Sequence, residues 1–117
     1  MALSLKEKRK RNKEYMNKWY KENPEEQLNR VLWTVHRIRL KDYLELVKIQ
    51  ESKCALCGKI PTKRLYVDHD HNCCPGKRSC GKCIRGLLCK KCNSGIGYLG
   101  DTLDGVLKAV NYLKKDI

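Results

Sequence analysis

Apolar positions change their spacing three times along the chain. Residues 4–22 are mostly charged, but Tyr15/Trp19 and Met16/Tyr20 recur at i,i+4, the interval at which two side chains meet on a helix. Asn23-Pro24 ends that stretch, because a residue before proline avoids the helical region. The same pair predicts a new start, with Asn23 as N-cap, Pro24 at the first helical position, and Glu25 and Glu26 in the first turn. Leu28, Val31, Leu32, Val35 and Ile38 then carry a helical period, and Leu40, Tyr43, Leu44 and Val47 continue it at a shifted phase. The shift predicts two helices meeting near residue 39, or one helix kinked there.

From Lys53 the chain becomes short-ranged, rich in Gly and Cys, and mostly irregular. Arg64-Leu65-Tyr66-Val67-Asp68 predicts a short strand leading into a polar cluster. A last helix follows a cap at Asp101 or Thr102, with Leu103, Val106, Leu107, Val110 and Leu113 on one face. The expected organisation is a basic amino-terminal arm or helix over 1–23, a helical segment over 24–52, and a core over 53–117.

Composition limits what these elements can bury. The 117 residues include no Phe and two Trp, and a third of them are charged, so the core must be modest. Small domains of this kind need staples, and eight cysteines are available. The net charge is +13, from thirteen basic and eight acidic residues in 1–52 and thirteen against five in 53–117. Such an excess favours a polyanionic partner, nucleic acid first, over mere solubility. The amino terminus has no apolar signal core, and no apolar run approaches the roughly 20 residues of a membrane span. The expectation is therefore a cytoplasmic chain in a reducing compartment, where Cys-x-x-Cys pairs read as metal ligands before disulfides.

Three such pairs occur: Cys54/Cys57, Cys80/Cys83 and Cys89/Cys92. Two thiolates separated by two residues can reach one ion together, and two such knuckles complete the four-sulfur tetrahedron that structural zinc prefers. Cys54 and Cys57 with Cys89 and Cys92 is the preferred grouping, because these bracket the polar cluster. Cys73, Cys74, Cys80 and Cys83 are left for a second zinc. His71 is an alternative ligand there, since adjacent cysteines are awkward partners on one ion.

The bracketed cluster is Val67-Asp68-His69-Asp70-His71-Asn72. Along an extended chain, residues 68 and 70 face one way and 69 and 71 the other. A carboxylate on a hard cation beside an imidazole is one use of that pattern; a polar loop or zinc ligation by the histidines is another. His36, on the upstream helix, reads as an ordinary surface or interface histidine.

Cys54-Ala-Leu-Cys57-Gly58, then Leu65-Tyr66-Val67-Asp68-His69-Asp70-His71, then Arg85-Gly86-Leu87-Leu88-Cys89-Lys90-Lys91-Cys92-Asn93 resembles the phage recombination endonuclease VII family in order and spacing, over roughly residues 40–113. The resemblance implies a small zinc-stapled α+β fold: a ββα-metal (HNH, His-Me finger) core with amino-terminal helices and a closing carboxyl-terminal helix. It implies a DNA endonuclease in which Asp68 and Asn93 hold one Mg²⁺ or Mn²⁺ ion. His69 would be the general base, and His71 a phosphate contact or supporting group. Asp70 would brace the loop. Arg85 would contact phosphate or pair near the site, and Lys90, Lys91, Lys77 and Arg78 are candidate DNA contacts.

Two departures bear on the substrate. Twelve residues separate His71 from Ile84, an insertion holding the four surplus cysteines together with Lys77, Arg78 and Lys82. Only 24 residues follow Asn93, fewer than junction-resolving members use to dimerise, so monomer and homodimer stay open and hydrolysis is better supported than junction resolution. The rival expectations are a homing or nicking endonuclease on duplex DNA and a non-catalytic zinc module. Because zinc supplies much of the folding free energy of such domains, Cys57→Ser is expected to unfold the protein. A folded Cys57→Ser chain by circular dichroism would show that the knuckles pair otherwise.

Overall fold

The computed structural model describes residues 2–115 and consists of five α-helices and one two-stranded sheet among them. Helix α1 (Leu5–Glu22) opens with a reciprocal cap, in which the Glu7 amide donates to Ser4 Oγ and the Ser4 amide to the Glu7 carboxylate, each at 3.1 Å. None of its residues is buried. It meets the rest of the chain near its end, where the Arg30 guanidinium lies 5.3 Å from the centre of the Tyr20 ring. The molecule is accordingly elongated, 74 × 30 × 27 Å.

Asn23 departs from its expected role. Its side chain donates to the Trp19 carbonyl at 2.7 Å, closing α1, and makes no cap bond to the next helix. Only its backbone carbonyl serves α2 (Pro24–Val31), accepting from Glu26 and Gln27. An Asn between two helices has one side chain for two ends, and the open carbonyls of α1 claim it.

Helix α2 runs into a single wide π-type turn, Leu32–His36, and stops at Arg37, whose φ of 57° is left-handed. Helix α3 (Leu40–Ile49) follows, its start secured by the Arg39 amide donating to Asp42. The phase shift thus becomes a true break between two helices. The wide turn buries Leu32, and the break buries Ile38 outside any helix.

Strands β1 (Tyr66–His69) and β2 (Ile84–Leu88) pair antiparallel, with Val67 opposite Leu87 and Asp68 opposite Gly86. His69 then pairs with Ile84, which leaves Arg85 as the extra residue of a bulge. Helix α4 (Lys90–Tyr98) packs on both strands. Helix α5 (Leu103–Lys114) is capped by Thr102, whose hydroxyl accepts from the Gly105 amide. Its apolar residues Leu103, Leu107 and Leu113 are exposed and no residue of α5 is buried, so it does not close the core as expected.

The core is small: Leu32, Ile38, Tyr43, Cys54, Leu65, Val67, Leu87 and Leu88, with Leu87 fully enclosed. Two side chains, Tyr43 of α3 and Gln50 just past its end, tie the helix to the segment leading into β1 and to β2. The Tyr43 hydroxyl donates to the Leu65 carbonyl at 2.7 Å. The Gln50 amide accepts from Leu87 N at 2.9 Å and donates to Leu87 O at 3.0 Å, filling the outer edge of β2 as a third strand would. Tyr43→Phe strands a buried carbonyl and is expected to cost about 1–3 kcal/mol, read as a lower urea midpoint.

Candidate functional site

Two cysteine clusters form on the sheet's flanks. Cys54, Cys57, Cys89 and Cys92 bring their sulfurs within 4.8 Å of one another, as do Cys73, Cys74, Cys80 and Cys83. Measured pairs lie at 3.9 Å for Cys57–Cys89 and Cys80–Cys83 and at 4.0 Å for Cys73–Cys80 and Cys73–Cys74. A tetrahedral zinc with sulfurs at about 2.3 Å needs sulfur–sulfur edges of about 3.8 Å, so both sets could hold zinc ions. His71 takes no part in the second set. The two adjacent cysteines share it instead.

Local backbone explains the convergence. In the first knuckle the Gly58 amide returns to the Cys54 carbonyl at 3.0 Å with φ of +73°, a turn open to glycine, and Leu56 N points at Cys54 Sγ at 3.4 Å. The Ala55 amide bonds to the Leu87 carbonyl, tying this knuckle to β2, while the second knuckle occupies the first turn of α4.

Close packing of the sulfurs perturbs several of the thiols. Burial raises Cys54, but backbone hydrogen bonds from Cys57, Cys89 and Leu56 outweigh it and bring the thiol down to about 6. Burial pushes Cys92 up to about 12, followed by the sulfurs of Cys89, Cys57 and Cys54. In the second set Cys73 is pushed up to about 12, first by Cys83 and then by Cys74 and Cys80. The Lys82 amide leads in lowering Cys80 to about 7. A cation among the four sulfurs of a set would allow all of them to ionise.

Between the clusters, Val35, His36, Tyr66, Val67, Asp68, His69, His71, Lys77 and Asn93 line one cavity of about 280 Å³. Of the residues singled out in the sequence, Asp68, His69, His71, Asn93 and Lys77 therefore meet there. The alternation expected for 68–71 holds for His69 and His71, although β1 ends at His69. His71 lies in the turn beyond, beside His69, ring centres 4.2 Å apart. His69 is almost entirely buried, and its Nε2 sits 3.0 Å from the Cys74 carbonyl. Asp70 Oδ1 accepts from the Asn72 amide at 2.9 Å, inside the loop.

Asp68 is buried on β1, and both its oxygens are held by Arg85, Nε to Oδ2 at 2.8 Å and Nη2 to Oδ1 at 3.0 Å. The bulge at Arg85 turns this fork inward. Arg85 Nη2 also donates to Asp101 Oδ1 at 2.8 Å. Asp68 first, against the opposing cost of burial, and then Asp101 raise the guanidinium's pKa above its ordinary value. Its fork is thus engaged by carboxylates, where the sequence left phosphate contact open. Arg78, Lys90 and Lys91 lie exposed outside the cavity.

Two residues were placed otherwise by the sequence. Asp101, considered only as a helix cap, adopts φ of +57° ahead of Thr102 and joins Asp68 and His71 in a set whose ligand atoms lie within 4.8 Å. His71 Nε2 approaches Asp101 Oδ2 to 2.7 Å, but off the line of a hydrogen bond, so that buried oxygen has no aligned donor. The available signal was that Asp101 is the first carboxylate after Asp70. His36, expected at the surface or an interface, forms part of the cavity wall with its ring centre 6.4 Å from that of His69. Burial, followed by His69 and Arg64, lowers its pKa.

The fold and site define a basic, small domain of helices and one two-stranded sheet, with two cysteine tetrads that could bind metal beside an acid–imidazole cavity. The sequence model of the family described as recombination endonuclease VII matches residues 29–115. The chain belongs to that family. The Gene 59 protein of Mycobacterium phage D29 is 34% identical over 89 residues, 74% of this chain and 48% of that protein. The Gene 59 protein of Mycobacterium phage L5 is 32% identical over 75 residues, 62% and 41% of the respective lengths. The chain thus spans about half the length or less of these curated relatives. No solved structure matches it. Among the described residues, no helix is long and apolar enough to cross a membrane.

Removing the clamp tests its structural share. Arg85→Ala leaves two carboxylates facing each other and is expected to lower stability by about 1–3 kcal/mol, after allowing for the partly exposed guanidinium. The measurement is a shift in urea midpoint at unchanged slope, and an unmoved midpoint would remove Arg85 from the framework.

Proposed function

We propose that this chain is a divalent-metal-dependent endonuclease that hydrolyses DNA phosphodiester bonds, with β1, β2 and α4 as a ββα-metal core. The observation that carries the reading is the contact of His69 Nε2 with the Cys74 carbonyl, inside a cavity shared with Asp68 and Asn93. A carbonyl only accepts, so Nε2 carries a proton, and in the neutral ring Nδ1 is left with the lone pair. A neutral imidazole held in one tautomer is suited to take a proton from the water that attacks phosphorus.

The donor set fits a hard cation. Asp68 and Asn93 both line that cavity with a carboxylate and a carboxamide oxygen to offer, and Asp101 Oδ2, which has no hydrogen-bond donor, lies near Asp68 and His71. Mg²⁺ or Mn²⁺ held by Asp68 and Asn93 would supply charge stabilisation to the scissile phosphate and the leaving 3′ oxygen, giving 5′-phosphate ends. Arg85 orients the Asp68 carboxylate through its two hydrogen bonds. His71, beside Asp101, and Lys77 are the groups that would meet phosphate oxygens.

The net charge of +13 supports a nucleic-acid partner. Residues 1–23 act on this reading as an arm along DNA, since 6–21 hold eight basic and two acidic side chains on a helix that buries none of them. Lys90, Lys91 and Arg78 extend the same basic surface. Residues 24–52 brace the core over 53–117. The family's description favours branched or recombination-intermediate DNA, and the phage relatives favour action in a host cytoplasm.

The test is Mg²⁺-dependent cleavage of matched linear, nicked, branched and single-stranded DNAs at fixed salt. His69→Ala should lower kcat by about 10²–10⁴-fold, with zinc content, fold and DNA binding retained. Equal cleavage by parent and variant would end the base assignment. DNA binding without any cleavage by the parent would leave a zinc DNA-binding module.

A further inference from the structure

The inserted loop does not merely extend the surface. It starts and ends on Asp70: the Cys73 and Cys74 amides donate to the Asp70 carbonyl at 3.1 Å, and the Asp70 amide donates to the Cys83 carbonyl at 2.9 Å. Its far side is pinned to the wide helical turn. Ser79 N donates to the Val35 carbonyl at 2.9 Å and Ser79 Oγ to the His36 carbonyl at 2.8 Å. Gly81, at φ of +86°, lies so close to Arg37 that a Cβ would fall 2.5 Å from its carbonyl oxygen. No side chain larger than Ser79 is buried in residues 72–83. Ordering each such residue costs about 1–2 kcal/mol, and no apolar burial in the loop offsets that cost.

Four sulfurs at tetrahedral spacing can offset it. One of the four belongs to Cys74, the residue whose carbonyl holds His69. We propose that Cys73, Cys74, Cys80 and Cys83 bind a second zinc whose role is to fix the Cys74 carbonyl and thereby the tautomer of His69. The loop then acts as a metal-set orienting element for the base, and the same ordering keeps Lys77 on the cavity wall. Cys74 is a positioning residue here: its sulfur meets metal, and its backbone meets the imidazole. The proposal rests on the reading of His69 as general base.

The experiment uses the full chain. Elemental analysis should give two zinc ions per chain for the parent and one for Cys80→Ser/Cys83→Ser. Imidazole ¹⁵N spectra should show His69 protonated at Nε2 alone in the parent and exchanging between tautomers in the double variant. With DNA, kcat should fall by about 10–100-fold, the usual loss when a group that orients a functional side chain is removed, with KM little changed. Cys80→His, which keeps four ligands, should restore both the second zinc and the single tautomer.

One zinc in the parent, or a double variant that keeps the single tautomer, would overturn the proposal. Should the double variant fail to fold, stepwise chelation of the parent gives the same reading. The exposed cluster should yield its zinc first and the His69 signal should change with it, whereas an unchanged signal at one zinc refutes the coupling. Zinc counts and ring spectra need no DNA. A parent that shows two zincs and a locked His69 but never cuts DNA would therefore sink the nuclease reading alone.

Discussion

The convergence of Cys54, Cys57, Cys89 and Cys92 is the constraint on which the rest of the molecule depends. These residues join the loop before β1 to the first turn of α4, and so clamp the two ends of the functional strands. The apolar core alone is too thin to do so, since among the described residues only eight hydrophobic ones are buried and Leu87 is the single large one fully enclosed. A metal-bound tetrad contributes about 10–16 kcal/mol in small zinc domains, comparable with or above the whole stability of an ordinary domain. Asn93 gains its place through that clamp, its amide bonded to the Cys89 carbonyl one turn back.

The cavity depends on a second constraint, the handling of like charges. Asp68 and Asp101 come from β1 and from the link between α4 and α5, and would repel each other if unaccompanied. Arg85 sits between them because a bulge in β2 redirects its side chain. A regular ladder would have sent alternate β2 residues to the opposite face. One irregularity in pairing thus sets the electrostatics of the whole wall.

Much of this was legible in the sequence, but unevenly. Knuckle spacing is a short-range property that survives folding unchanged, so both tetrads could be grouped from numbering, although the sharing of one set by adjacent Cys73 and Cys74 could not be preferred over His71. The helix break near residue 39 was written in the shift of apolar phase. Helix α4 was not legible, because Lys-Lys-Cys-Asn-Ser-Gly-Ile-Gly-Tyr holds two glycines and no apolar stripe. It forms because Cys92 and Ile96 pack against the core. Strand β2 hid for a related reason: a Gly and a charged Arg interrupt its apolar run. Asp101 and His36 reach the cavity through a left-handed turn and a π-type turn, backbone choices that no periodicity displays. Within 68–71 the alternation holds for His69 and His71, whose rings lie side by side, whereas Asp70 turns into the loop where the strand ends.

The pairing of Gln50 with Leu87 carries one further consequence. A two-stranded sheet exposes open backbone edges, and such edges recruit other chains into intermolecular β-structure. By filling both the donor and the acceptor of Leu87, the amide of Gln50 blunts that edge at its most apolar point. With the Ala55 amide on the same carbonyl, the Gln50 side chain leaves Leu87 no open backbone group to offer an intermolecular strand.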